Sequence, residues 1–140
     1  MTNGFPKGFD PDQHRLLRTL YGDLVPPLEM ISVRSGLYAL VDHMFAQIGR
    51  LPHRRDLRVV RIESRNAGWL EIVTTGGAAG AGDIIADAEE AARRTCEHCS
   101  KPARMVVKVG LESLLSAPDV VLGDRLLCTD CADAFRKEIG

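Results

Sequence analysis

Residues 95–105, TCEHCSKPARM, and residues 126–135, LLCTDCADAF, hold all four cysteines of the chain and decide how its last third folds. Cys96 and Cys99 form one C-x2-C pair, Cys128 and Cys131 form another, and 28 residues separate the two. Two residues between thiolates let a tight knuckle turn present both sulfurs to one ion, and a second knuckle completes a tetrahedron at about 2.3 Å from zinc. The chain is therefore expected to hold a structural Zn2+ on Cys96, Cys99, Cys128 and Cys131, in a zinc-ribbon or treble-clef-like module over residues 96–140. In such a module a β-hairpin carries one pair and a following strand or helix carries the other. A redox or disulfide pair and an iron site are the competing readings. A thioredoxin-like site needs a helix that starts after its first cysteine, whereas a helical pattern runs into Cys96. His98, inside the first knuckle, is expected to point to solvent. Arg93, Arg94, Lys101 and Arg104 lie close enough in sequence to offset the charge of four thiolates.

Working outward, the chain of 140 residues is 45% hydrophobic, enough for one compact domain with a real core. Eighteen basic against nineteen acidic residues give a net charge of −1, so the totals point neither to a strongly basic nucleic-acid binder nor to a highly acidic mimic. No signal-peptide pattern opens the sequence and no run of about 18 apolar residues occurs, so a cytoplasmic protein without a membrane partner is expected. Cysteines in a reducing compartment favour metal chemistry over disulfides.

Residues 1–9, with Gly4, Pro6 and Gly8, read as a flexible tail, and residues 10–95 as an α+β region of helices packed on a small antiparallel β-hairpin or sheet. Asp10 is placed to cap a helix whose first residue is Pro11 and whose leucines, Leu16, Leu17, Leu20 and Leu24, recur at helical spacing; Pro26 and Pro27 are expected to end it. Ser35 caps a second helix with a core stripe of Leu37, Leu40, Val41, Met44, Phe45 and Ile48, closed by Gly49. His43 follows Asp42 directly, and helix neighbours point roughly 100° apart, so this pair is not read as catalytic. LRVVRIES (57–64) and GWLEIVTT (68–75) read as paired strands, with positive φ expected at Asn66 and Gly68 of the turn and with Trp69 anchoring the hairpin against the helices. TTGGAAGAG (74–82) lacks the Gly-Lys-Ser/Thr of a phosphate loop and reads as a connector, after which Asp83 caps a third helix. Strand-like runs at 103–110 and 120–128 and a last helix over 131–139 complete the pattern.

The order of these pieces resembles a family of short phage and prophage proteins. Its members carry an N-terminal helix like that of Leu16, Leu17 and Tyr21, a segment like SGLYALVDHMF (35–45), a strand like NAGWLEIV (66–73), an acidic helix ending like IADAEEAARRTCEHCSKPARM (85–105), and a close like RLLCTDC (125–131). Cys131 stands where the family often has histidine, Ser100 where it has glycine, and the insert at 108–124 is atypical. The resemblance implies a metal-binding fold and a mobile-element origin, with no established reaction. No Ser/His/Asp order, carboxylate pair in a recognisable frame or open metal site is present, so a non-enzymatic protein that binds a host or phage protein complex is expected, and the family association adds counter-defence inhibition of the anti-CRISPR type as a special case.

Two surfaces are candidates for contact with such a partner. LESLLSAPDVVL (111–122) brings Leu114, Leu115, Val120, Val121 and Leu122 together, with ordinary burial as the alternative. Residues 50–65 set Arg50, Arg54, Arg55, Arg58, Arg61 and Arg65 against only Asp56 and Glu63, which offers an alternative function as a nucleic-acid-binding zinc-ribbon regulator. Arg58 and Arg61 would face opposite sides of a regular strand, so the six are not expected to form one stripe.

Overall fold

The computed structural model describes residues 7–103, 105–107 and 124–139. It is an α+β fold. Helix α1 (Pro11–Tyr21) leads through two short 3-10 turns to strand β1 (Ile31–Ser32), then helix α2 (Tyr38–Ile48), strands β2 (Leu57–Ser64) and β3 (Leu70–Gly76), and helix α3 (Ala81–Ala92). Strands β4 (Met105–Val107) and β5 (Arg125–Leu127) and helix α4 (Thr129–Ile139) follow. The main sheet has the order β1-β2-β3, with β1 parallel to β2 and β3 antiparallel to it, while β4 and β5 form a separate antiparallel ribbon.

Local chemistry explains most element boundaries. The Asp10 carboxylate accepts the Asp12 N–H at 3.0 Å, and Pro11 begins α1. That helix stops sooner than the prolines require. Gly22, at φ +58, turns the chain and donates its N–H to the Arg18 carbonyl, so Leu24 reaches the core from a 3-10 turn. Only Leu17 of the α1 leucines is buried, and Leu16 and Leu20 remain 57% and 53% exposed. On α2 the expected stripe holds, with Val41, Met44, Phe45 and Ile48 buried beside Leu37. Gly49 lets the Tyr21 ring approach so closely that a Cβ would meet it at 2.4 Å. Helix α3 begins at Ala81 after Gly80 at φ +89, so Asp83 is not its cap but a first-turn acid, still favourable to the helix dipole.

The β2–β3 hairpin also departs from its sequence reading in three ways. Positive φ falls on Ala67 (+48) and Gly68 (+83) rather than Asn66, held there in part by the Ala67 N–H donating to the Asp124 carbonyl at 2.9 Å. Leu70 takes the inward position at the head of β3. Strand alternation leaves Trp69 55% exposed, with the Arg93 guanidinium 5.5 Å from its ring centre, so it does not anchor the hairpin against the helices. Finally, a bulge between Val59 and Arg61 reverses the burial phase of β2, from Leu57 and Val59 inward to Ile62 and Ser64 inward. Arg58 and Arg61 therefore both occupy outward positions.

Two hydrophobic clusters result. The larger gathers side chains from Phe9 to Ala92, and the smaller gathers Cys96, Ala103, Val107, Leu126, Leu127, Ala132 and Phe135. The expected tail does not extend through residue 9. Gly8 bridges Val33 in both directions, at 2.9 and 3.0 Å, and Phe9 is buried with its ring 5.0 Å from that of Tyr38. The candidate apolar surface at 111–122 lies outside the described residues.

Candidate metal centre

The turn at residues 96–100 is built as a knuckle. The Cys96 N–H donates to the Lys101 carbonyl at 2.7 Å, the Ser100 N–H donates to the Cys96 carbonyl at 3.1 Å, and Ser100 takes φ +74. That is the strained conformation expected where serine replaces glycine. Part of the compensation is visible, because the Ser100 hydroxyl donates to the Gly36 carbonyl at 2.7 Å. The second pair lies where β5 passes into α4: Cys128 follows the strand, Cys131 sits in the first turn of the helix, and the Ala132 N–H donates to the Cys128 carbonyl at 2.9 Å. Of the two arrangements expected from the spacing, the helix is the one that carries the second pair.

All four sulfurs converge. Each lies within 4.8 Å of every other, and the Cys99 and Cys128 sulfurs are 3.5 Å apart. A tetrahedral ion with sulfur at about 2.3 Å requires sulfur–sulfur edges of about 3.8 Å, so the donor set fits a metal ion. Cys96 is buried, Cys128 and Cys131 are partly buried, and Cys99 faces solvent. Burial, then the hydrogen-bonded neighbouring sulfurs, pushes the Cys131 thiol well above its ordinary value. Burial also raises Cys99, whereas Cys128 is drawn down to about 7, first by a backbone hydrogen bond from Cys131. A cation removes the mutual repulsion of four thiolates and makes their deprotonation favourable.

Two of the arginines expected to offset this charge are engaged elsewhere. Arg93 and Arg94 pair with Glu90 at 2.6 and 3.9 Å on the exposed side of α3, and Arg104 lies outside the described residues. Lys101 and His98 are exposed. What the sequence did not single out is a buried charge cluster made by the knuckle's own Glu97. Its side chain is fully buried, its Oε1 accepts the Leu126 N–H at 2.7 Å, and its Oε2 lies 3.5 Å from Nε of the buried Arg34. Its backbone is equally occupied, donating to the Leu126 carbonyl and accepting the Gly36 N–H, both at 2.9 Å. Burial drives the Glu97 carboxyl upward, opposed by the Leu126 N–H and then by Arg34 and Arg125. Arg125 is itself buried 5.6 Å from the Phe135 ring centre, and desolvation lowers it to about 10. A sequence signal existed only in part: an acid inside a C-x2-C knuckle is unremarkable until Arg34 and Arg125 are known to be inside.

Gly36 makes the junction possible. A Cβ there would lie 2.1 Å from the Cys96 carbonyl oxygen and 2.4 Å from the Glu97 carbonyl carbon, both backbone atoms that cannot rotate away. Gly36→Ala is expected to cost about 1–3 kcal/mol, the range for overpacking a tight site, and to weaken metal retention in a chelator competition. Unchanged stability and retention would show that the junction gives way easily.

The six arginines of residues 50–65 separate into groups. Arg61 and Arg65 both reach Glu71 at 2.8 Å and Glu63 at 3.7 and 3.5 Å. Arg54 covers the Tyr21 ring at 5.7 Å, and Arg58 lies 3.8 Å from Asp23. No ion pair engages Arg50 or Arg55 among the described residues. Arg54, Arg55 and Arg58 share the lining of one open cleft with Asp23; Arg50, Arg61 and Arg65 do not line it.

No protein-family model, curated protein or solved structure matches the chain. Among the described residues no helix is long and apolar enough to cross a membrane.

Proposed function

We propose that this is a non-enzymatic binding protein in which four cysteines hold a structural Zn2+ and the surfaces so fixed engage a macromolecular partner. The observation that carries the reading is the closure of the metal centre. Four protein sulfurs, two from the knuckle and two from the junction of β5 and α4, lie within 4.8 Å of one another, so a tetrahedral ion would have no ligand position left for water or substrate. Zinc suits an all-thiolate tetrahedral set and would supply folding energy without redox chemistry. No catalytic residue is assigned. The resemblance to phage and prophage proteins supports a host or phage protein complex as the partner, and counter-defence inhibition of the anti-CRISPR kind as the special case, acting in the host cytoplasm.

Affinity capture from a host lysate, coupled to native mass spectrometry, tests both halves. The expected result is one zinc per chain and one recurring protein complex. Zinc without any protein complex would keep the staple and remove the partner reading. A nucleic-acid regulator is the second reading, favoured by the grouping of Arg54, Arg55 and Arg58 around one cleft. It predicts an electrophoretic shift that weakens steeply between two salt concentrations, and no shift with DNA or RNA would eliminate it.

A further inference from the structure

We infer that the cleft between α1 and the start of β2 is a docking groove for an extended, acidic segment of a partner protein that also carries apolar side chains. This rests on the partner-binding reading above and adds to it the place and the chemistry of the contact.

The charge comes from a selection that only the fold makes. Of the six arginines, Arg61 and Arg65 are held by Glu63 and Glu71, while Arg54, Arg55 and Arg58 line one cleft of about 350 Å³ in which Asp23 is the only acid among the described residues. The Asp23–Arg58 pair is long, at 3.8 Å, and both side chains are largely exposed, so it is worth little and a carboxylate ligand displaces it cheaply. Arg58 and Asp23 also line a neighbouring cleft of about 400 Å³, which adds Arg18 and the apolar Pro26, Pro27 and Met30. The two clefts thus meet along a shared wall and accommodate an extended chain rather than one small ion.

The apolar half comes from α1. Leu20 lines the first cleft, Leu16 lies one turn earlier on the same helix face, and these two are the most exposed of the α1 leucines. Neither leucine belongs to the core cluster or its packed neighbours. A ligand that satisfies both halves carries carboxylates for the planar arginine forks, which accept them bidentately, next to side chains that cover leucine.

Nucleic acid fits less well. The Tyr21 ring, the aromatic group in the cleft, already has Arg54 over it and Gly49 against its edge, which leaves it poorly placed to stack a base. A chain of net charge −1 also lacks the long-range positive field that concentrates polyanions.

The test pans a yeast-displayed library of random twelve-residue peptides on the full, metal-loaded protein. Enriched sequences are expected to combine Asp or Glu with leucine or aromatic residues. A synthetic copy of one of them, titrated by fluorescence anisotropy, should bind at least tenfold more weakly to Arg54→Glu/Arg58→Glu and to Leu20→Asp, and unchanged to Arg94→Glu on α3. Thermal melts of each variant separate lost binding from lost folding. No enrichment, enriched peptides indifferent to the cleft variants, or a labelled twenty-residue oligothymidine bound through Arg54 and Arg58 more tightly than any peptide would each overturn the proposal. A partner complex captured equally well by wild type and by the cleft variants would discard the groove while leaving the partner reading intact.

Discussion

Stripping the metal with a chelator, or replacing Cys128 with serine, is expected to unfold residues 95–107 and 124–139 while the helices α1–α3 and the three-stranded sheet persist. The asymmetry follows from what each part buries. The larger cluster contains many fully buried aliphatic and aromatic side chains, including Leu17, Val25, Val33, Phe45 and Ile62. Among the described residues the smaller holds seven that are buried, two of them alanines and one the cysteine Cys96, around a ribbon with three described residues per strand. A two-stranded ribbon of that length is not stable in water by itself. Structural zinc in small modules supplies on the order of 10 kcal/mol or more, which is ample to reverse that balance. The readout is a two-dimensional amide spectrum before and after chelation: dispersed resonances of the ribbon and α4 should collapse, and those of α2 and β2 should remain. Acidification should act in the same direction, because each thiol must lose its proton to bind the ion and protons compete with metal as pH falls. Metal removal that leaves the ribbon spectrum intact would show that zinc is not the staple.

Removing the Glu97 carboxylate is the second large effect. Glu97→Ala leaves Arg34 and Arg125 buried without the acid between them and strips the Leu126 N–H of its acceptor. Breaking a buried ion pair by deleting one partner costs about 3–5 kcal/mol, far more than an exposed pair is worth. Glu97→Gln removes the negative charge that faces Arg34 and Arg125 while leaving an amide oxygen able to accept from Leu126. The alanine variant is expected to lose the most stability in urea melts, the glutamine variant nearly as much, and the double variant Glu97→Gln/Arg34→Met to recover part of it, because a buried ion pair is often replaced by apolar groups at little cost. A glutamine variant as stable as wild type would show that the hydrogen bond, not the charge, holds the two clusters together.

These two effects come from opposite ends of what was readable. The cysteine spacing belongs to local chain geometry: a two-residue gap keeps two sulfurs close enough to share one ion, so the convergence of two such pairs could be expected without knowing what surrounds them. The Asp10 cap, the α2 stripe and the two paired strands are likewise local, set by a side chain reaching its own backbone or by periodicities of 3.6 and 2. Where local signals competed, the structure chose. Gly22 ended α1 before the prolines acted, and the bulge in β2 moved Arg61 to the same outward side as Arg58.

Sequence alone determined the α+β class, the helices α1–α3, the β2–β3 pair and the four cysteines of the candidate metal centre, while β1 had no signal in it. Tertiary structure alone decided what those ligands are fastened to and which charges remain available. Glu97, Arg34 and Arg125 are separated by 63 and 28 positions in the chain, and no local preference links an acid to bases at such distances. They meet because Gly36 has no Cβ to keep the knuckle backbone away from the start of α2. The same holds for the basic segment, where pairing register gives Arg61 and Arg65 to Glu71 and leaves Arg54, Arg55 and Arg58 around a cleft floored by α1. Charge in a sequence is a count, and only packing assigns each charge a neighbour.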